Sequence, residues 1–260
     1  MNRLSFVASM LMMCLPMTMM AQKNGAKAQN KPDPNFQIYL CFGQSNMEGN
    51  AAIEDIDRTG VNPRFMAMYA VDDEKAGWKK GQWHTAVPPQ ARPSTGLTPV
   101  DYFGRKMVDN LPDSIKVGTI TVAVGGASID LFDKRICKSY LKKQPDWMKN
   151  FASQYNGNPY ARLIELAKLA QKQGVIKGIL LHQGETNNGD ANWPNRVKTV
   201  YNDILKDLNL KAENVPLLVG ETVQQDQGGK CWQHIAIVDD IAKTIPTAHV
   251  ISSKGCPQRG

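Results

Sequence analysis

Five short apolar runs alternate with segments of helical period along most of the chain. The runs are Ile38–Phe42, Ile115–Val124, Ile176–Leu181, Val215–Val219 and Ala248–Ile251, and each ends at a glycine or a polar cluster. Runs of this length, mostly aliphatic or aromatic, read as strands buried on both faces. Between them, Val100, Phe103, Met107 and Leu111 keep helical spacing behind a Thr98-Pro99 start, and Pro112 stops them. Tyr160, Leu163, Ile164 and Ala167 do the same between Asn158-Pro159 and Gly174. Val197, Val200, Tyr201, Ile204, Leu205 and Leu208 form the inner face of a third helix, and a fourth is expected from Gln233 to Ile245. Strand and helix in alternation predict an α/β fold: a parallel sheet of five strands with helices on both faces. Right-handed crossovers then put every strand C-terminus on one edge, where such folds bind ligands. Ser45, Gly125-Gly126, His182 to Glu185, Glu221 and Ser252 all fall on that edge.

A chain of 260 residues suits one such domain behind a leader. Residues 1–21 have the charged, apolar, then small-residue order of a secretory signal peptide, and residues 22–35 read as a flexible lead-in. The domain is expected over 36–260, in a secreted or periplasmic protein. A lipoprotein would use Cys14, but Met12 and Met13 are too large for the usual cleavage site. No later segment has the length of a membrane span. The net charge of +7 is weighted to the leader and lead-in by Arg3, Lys23, Lys27 and Lys31. No basic stripe interleaved with aromatics remains, which speaks against a nucleic-acid partner. Cys41, Cys137, Cys231 and Cys256 lack zinc spacing, and neither metal nor cofactor is expected. A Cys231–Cys256 disulfide is expected from their places after the fourth and fifth strands and from secretion. Cys41 reads as a small buried hydrophobe.

Ser45 follows the first strand by two residues, past Gly43. A serine there exposes its hydroxyl beside backbone N–H groups, as an acyl-transfer nucleophile requires. Alone it would read as a helix cap; the other polar clusters on the same edge favour the nucleophile. The surroundings are not the G-x-S-x-G elbow, since position 47 is Met. Asn50 to Thr98 is a long irregular region whose Trp78 and Trp83 either stack on sugar rings or pack beneath the loop.

Three motifs carry a family resemblance: Gly43-Gln44-Ser45-Asn46-Met47, Ala123-Val124-Gly125-Gly126-Ala127-Ser128 and His182-Gln183-Gly184-Glu185-Thr186-Asn187. In this order, over roughly Phe36 to the last residue, the chain resembles the SGNH-type hydrolases of carbohydrate esterase family six, the sialate O-acetylesterase-like group that includes acetylxylan esterases. The resemblance implies the SGNH hydrolase fold, a three-layer, flavodoxin-like doubly wound sheet. It implies a secreted serine esterase that removes acetyl groups from acetylated sugars or polysaccharide. Ser45 would be the nucleophile; its own N–H, the Gly126 N–H (Gly125 the alternative) and the Gln183 side chain would form the oxyanion hole. Asn46 and Glu185 support the loops, Glu185 as a brace, and His182 reads as a loop histidine rather than the base. The family's base and its orienter come as Asp-x-x-His after the fifth strand. Residues three before His84, His182, His234 and His249 are Gly81, Ile179, Cys231 and Pro246, so the motif is absent. A chain truncated before that dyad, and without its closing helix, is the expectation. A carbohydrate-binding relative without catalysis and an SGNH lipase or thioesterase are the alternatives. The glycan and the oligomeric state stay open.

Overall fold

A computed structural model describes residues 31–256. The expected leader, Cys14 and most of the lead-in lie outside the described residues. Phe36–Gly43 forms β1, followed by short helices α1 (Ser45–Glu48) and α2 (Asp55–Arg58). Next come β2 (Phe65–Met68), β3 (Trp83–Thr85), α3 (Pro99–Asn110) and β4 (Lys116–Ala123). After them lie α4 (Cys137–Lys142), α5 (Asp146–Ser153), α6 (Pro159–Ala170), β5 (Val175–His182) and α7 (Trp193–Asp207). The chain continues through β6 (Leu217–Gly220), α8 (Ile235–Asp239), α9 (Ile241–Thr244) and β7 (Ala248–Ile251).

The sheet is mixed and has seven strands, in the order β3-β2-β4-β1-β5-β6-β7. This corrects the expected count of five and the all-parallel sheet. The five expected strands are β1, β4, β5, β6 and β7, mutually parallel. The two additional strands come from the stretch read as irregular. β2 pairs parallel with β4, and β3 turns back antiparallel on β2. They are only four and three residues long and sit among Pro and Gly, too short to show a period. The helix expected over Gln233–Ile245 is also broken, into a 3-10 turn at Trp232–His234 followed by α8 and α9.

β1 is buried on both faces. Phe36, Ile38, Leu40 and Phe42 enter one core layer, while Tyr39 and Cys41 enter the other. Ile38, Leu40 and Phe42 have no solvent contact, which stabilises by roughly 1.5–3 kcal/mol per side chain. The first layer lies under α6, α7 and the segments flanking them; the second lies under α3. Thr98 caps α3 by accepting from the Val100 N–H, and the Asp101 carboxylate accepts from the Thr98 N–H in return. Asn158 caps α6 by accepting from the Ala161 N–H, 3.0 Å away. Trp83 packs edge-on against Phe36 and Trp78 stacks on His84, so the packing alternative holds for both tryptophans. Among the described residues no helix is long and apolar enough to cross a membrane.

Candidate active site

Register brings the three motifs together. Gly43 closes β1 level with Ala123 on β4 and with His182 on β5. The chain passes so close to β5 that a Cβ at Gly43 would lie 2.1 Å from the His182 carbonyl oxygen. Only glycine fits there. The Gln44 N–H then donates to that same carbonyl, 3.1 Å away, which turns the chain into α1 with Ser45 as its first residue.

Gln44 is the knot of the site, a role that its place in the first motif does not announce. Its Oε1 accepts from the Gln183 Nε2 (3.1 Å), the Gly184 N–H (3.4 Å) and the Thr186 N–H (3.2 Å). Gln183 is buried and its amide is fully engaged. Its Nε2 also donates to Asn187 Oδ1 (2.7 Å) and the Ala127 carbonyl (3.3 Å), while its Oε1 accepts from the Trp193 indole N–H. The Gln183 amide therefore ties the three motif loops to one another. An NH2 group has two hydrogens, and these three acceptors share them.

The glycine pair is divided by Glu48, one turn after Ser45. Gly125 is buried, and its N–H donates to Glu48 Oε1 at 3.1 Å. Glu48 is held in turn by a buried ion pair with Arg92, whose guanidinium also lies 4.4 Å from the centre of the Phe151 ring. Gly126 is half-buried with φ +70°, and the Thr186 hydroxyl donates to its carbonyl at 3.0 Å. Among the described residues no acceptor is found for the Gly126 N–H or the Ser45 N–H. Of the two glycines, then, Gly126 has the available donor. A Cβ at Gly125 would sit 3.9 Å from the Ser45 Cβ, which places the glycine loop against the serine. Backbone donors without an acceptor at a serine loop are the kind of group that can stabilise an oxyanion as it forms.

Ser45 is half-buried and lines a cleft of about 430 Å³. Asn46, Glu185, Thr222, Lys230 and Cys231 also line it. Asn46 Nδ2 donates to Glu185 Oε1 at 2.7 Å, so Glu185 links the first and third motifs. His182 Nδ1 lies 3.9 Å from the same oxygen, too far for a hydrogen bond, and faces the adjoining groove. His234 is fully buried against Gly184 and edge-on to Trp193; burial lowers its pKa, opposed by Glu185 and Asp190. His84 stacks with Trp78, and His249 is exposed on β7. Among the described residues no histidine lines the Ser45 cleft. At the next strand end, Glu221 Oε2 accepts from Gln224 Nε2 (2.7 Å), the Ser252 hydroxyl (2.9 Å) and the Ser253 N–H (2.8 Å), joining the loops after β6 and β7.

The expected Cys231–Cys256 disulfide is not formed; both cysteines are free. The Gly228-Gly229 turn brings Cys231 back onto the third motif, with Sγ 3.7 Å from the Glu185 carbonyl oxygen. Burial, and then the Glu185 charge, raise its thiol pKa. Among the described residues no group of three or more His, Cys, Asp and Glu is placed to hold a metal ion.

The fold is similar to that of solved proteins of low sequence identity. A protein from Arabidopsis thaliana has a TM-score of 0.61 at 19% identity, over 88% of this chain and 89% of that one. NanS gives 0.59 at 16% identity, over 87% of this chain and 80% of its own. A carbohydrate acetylesterase from Xanthomonas citri gives 0.55 at 20% identity, over 85% of this chain and about half (51%) of its own. Residues 35–260 match the family described as carbohydrate esterase, sialic acid-specific acetylesterase, and the chain belongs to that family.

Proposed function

We propose that this chain is a carbohydrate O-acetylesterase with Ser45 as nucleophile and the Ser45 and Gly126 N–H groups as oxyanion donors. The observation that carries the reading is a cleft-lining Ser45 packed against the Gly125-Gly126 loop, with no acceptor found for the Ser45 and Gly126 N–H groups among the described residues. Ser45 Oγ attacks the acetyl carbonyl, the sugar hydroxyl leaves, and water releases acetate from the acetyl-serine. Gln183, Gln44 and Asn187 hold the loops that carry these groups, and Glu185 braces Asn46 beside the serine. Acetylated sialic acid is the first substrate to test, on the family's description; acetylated xylan is the second. The leader-like order of residues 1–21 supports an activity outside the cytoplasm.

Ser45 needs a base, and no histidine lines its cleft among the described residues. The 260-residue chain is therefore expected to turn over slowly. Loss of a triad base leaves roughly 10³–10⁴-fold catalysis over water. Free imidazole in the assay supplies the missing acceptor. The test is acetate release from O-acetylated N-acetylneuraminic acid, with and without imidazole, by the wild type and by Ser45→Ala. Release that imidazole raises in the wild type but not in Ser45→Ala supports the reading. Equal release by both proteins overturns it. A second reading, a binding protein without catalysis, is favoured by the same lack of a histidine; saturable sugar binding without any Ser45-dependent release would establish it.

A further inference from the structure

Trp147 is 48% exposed on the first turn of α5, although Met148 and Ala152 of the same helix are buried. It lies directly on the glycine loop: a Cβ at Gly126 would come within 2.7 Å of its indole. The neighbouring Gly125 faces Ser45, since a Cβ there would lie 3.9 Å from the Ser45 Cβ, so the indole and the proposed nucleophile flank the same glycine pair. The ring is also braced from below. Phe151 meets it edge-on at 5.9 Å, and Phe151 lies under the Arg92 guanidinium. Arg92 pairs with Glu48, the residue that holds the Gly125 N–H. One chain of contacts thus fixes the exposed indole and the glycine loop relative to each other.

We propose, resting on the esterase reading above, that Trp147 is the binding platform for the pyranose ring of the acetylated sugar. The C–H face of a pyranose is apolar and weakly positive, and the face of an indole is apolar and negative. Stacking them leaves the sugar hydroxyls at the solvent edge and presents a ring substituent to the adjacent Gly126 N–H and Ser45. What sets Trp147 apart from the other exposed apolar residues is its place against the Gly126 loop. Trp78 and Trp83, which the sequence raised for the same task, are instead spent on packing.

The experiment has two arms. Protein labelled with 5-fluorotryptophan gives one fluorine resonance for each of its five tryptophans, and Trp147→Phe assigns one of them. Titration of the labelled Ser45→Ala protein with O-acetylated N-acetylneuraminic acid, and separately with acetylated xylo-oligosaccharide, should shift the Trp147 resonance saturably with at least one sugar. In the second arm, imidazole-supplemented acetate release is compared for Trp147→Ala and Trp147→Phe on the responding sugar ester and on phenyl acetate. Trp147→Ala should raise KM for the sugar ester at least tenfold more than for phenyl acetate, and Trp147→Phe should restore part of the loss. Equal losses on both esters would make Trp147 a prop for Gly126 and overturn the platform. An unmoved resonance overturns it too. If the resonance shifts but no acetate is released, the esterase reading fails and the platform stands. If neither is seen, both fall.

Discussion

Gln183 is a buried amide with partners on both its nitrogen and its oxygen, and two roles for a neutral amide in this loop can be told apart. An oxyanion donor contributes only as charge develops on the substrate. A knot also contributes to folding. In Gln183→Ala the Trp193 indole N–H loses its acceptor in a dry interior, at about 1–3 kcal/mol for an orphaned buried group. The melting temperature should fall by about 2–4 °C per kcal/mol lost, as is usual for domains of this size, and calorimetry would measure it. With imidazole, kcat per folded molecule should fall by less than about tenfold, well short of the hundredfold or more that a lost oxyanion donor costs. A drop in kcat with an unchanged melting temperature would return Gln183 to the oxyanion hole and reject the knot. Ser45 and Gly126 were legible in the sequence because a strand end and a glycine pair are local signals. Glu48 and Arg92 were not. They are 44 residues apart, and Arg92 sits in a stretch without periodicity, so only the folded chain reveals them as partners. Trp147 lies in the segment 129–157, for which the sequence pattern predicts no element.

The elements that matter most to the site are those with a capping signal or a strand end. Thr98-Pro99 marked the start of α3, and the structure adds what the pattern could not, the buried Asp101 carboxylate that completes the cap. Asp101 accepts from Gln90 Nε2 at 2.6 Å as well as from the Thr98 N–H. Burial outweighs these bonds and pushes its pKa from 3.8 up to about 6. Between about pH 4 and 6 the folded state holds a proton here that the unfolded chain has released. The contribution of Asp101 to stability is therefore fully present below the unfolded value and is lost as the pH rises through about 6. Asp101→Asn should flatten that part of the stability profile in urea titrations at stepped pH. An identical slope in the variant would assign the dependence to other groups. The strands show the same division between visible and hidden. β1, β4 and β5 run eight residues each and were evident from composition, whereas β2 and β3 exist because the edge of β4 gives them a partner.

Across the whole molecule, the two faces of the sheet are covered unequally. One face carries the large core layer under α6, α7 and their flanking helices; the other carries a small layer centred on α3. Alternation of strand and helix predicted a cover on both faces, but no local pattern states how wide each cover is. On the thinner side a groove of about 560 Å³ runs between α3 and the ends of β6 and β7. Ile251, 54% exposed, and Tyr102, 50% exposed, both line it. Large apolar side chains gathered in a groove bind apolar solutes in a way that scattered ones do not. The folded protein should therefore enhance the fluorescence of anilinonaphthalene sulfonate at a pH where calorimetry shows a cooperative transition. Ile251→Asp places a charge at the mouth of the groove and should remove at least half of that enhancement. Because Ile251 is exposed on the last strand, the melting temperature should move by no more than about 2 °C, as for a surface substitution of roughly 0.5 kcal/mol. Sugar should not displace the dye from the Ile251 end, although the groove and the Ser45 cleft share Asn46, Asn50, Ala51 and Val223, because Ile251 lines the groove and not the cleft. If Ile251→Asp leaves the fluorescence unchanged, the dye sits elsewhere and the groove is not the apolar site; if the sugar competes, the groove is part of the substrate path.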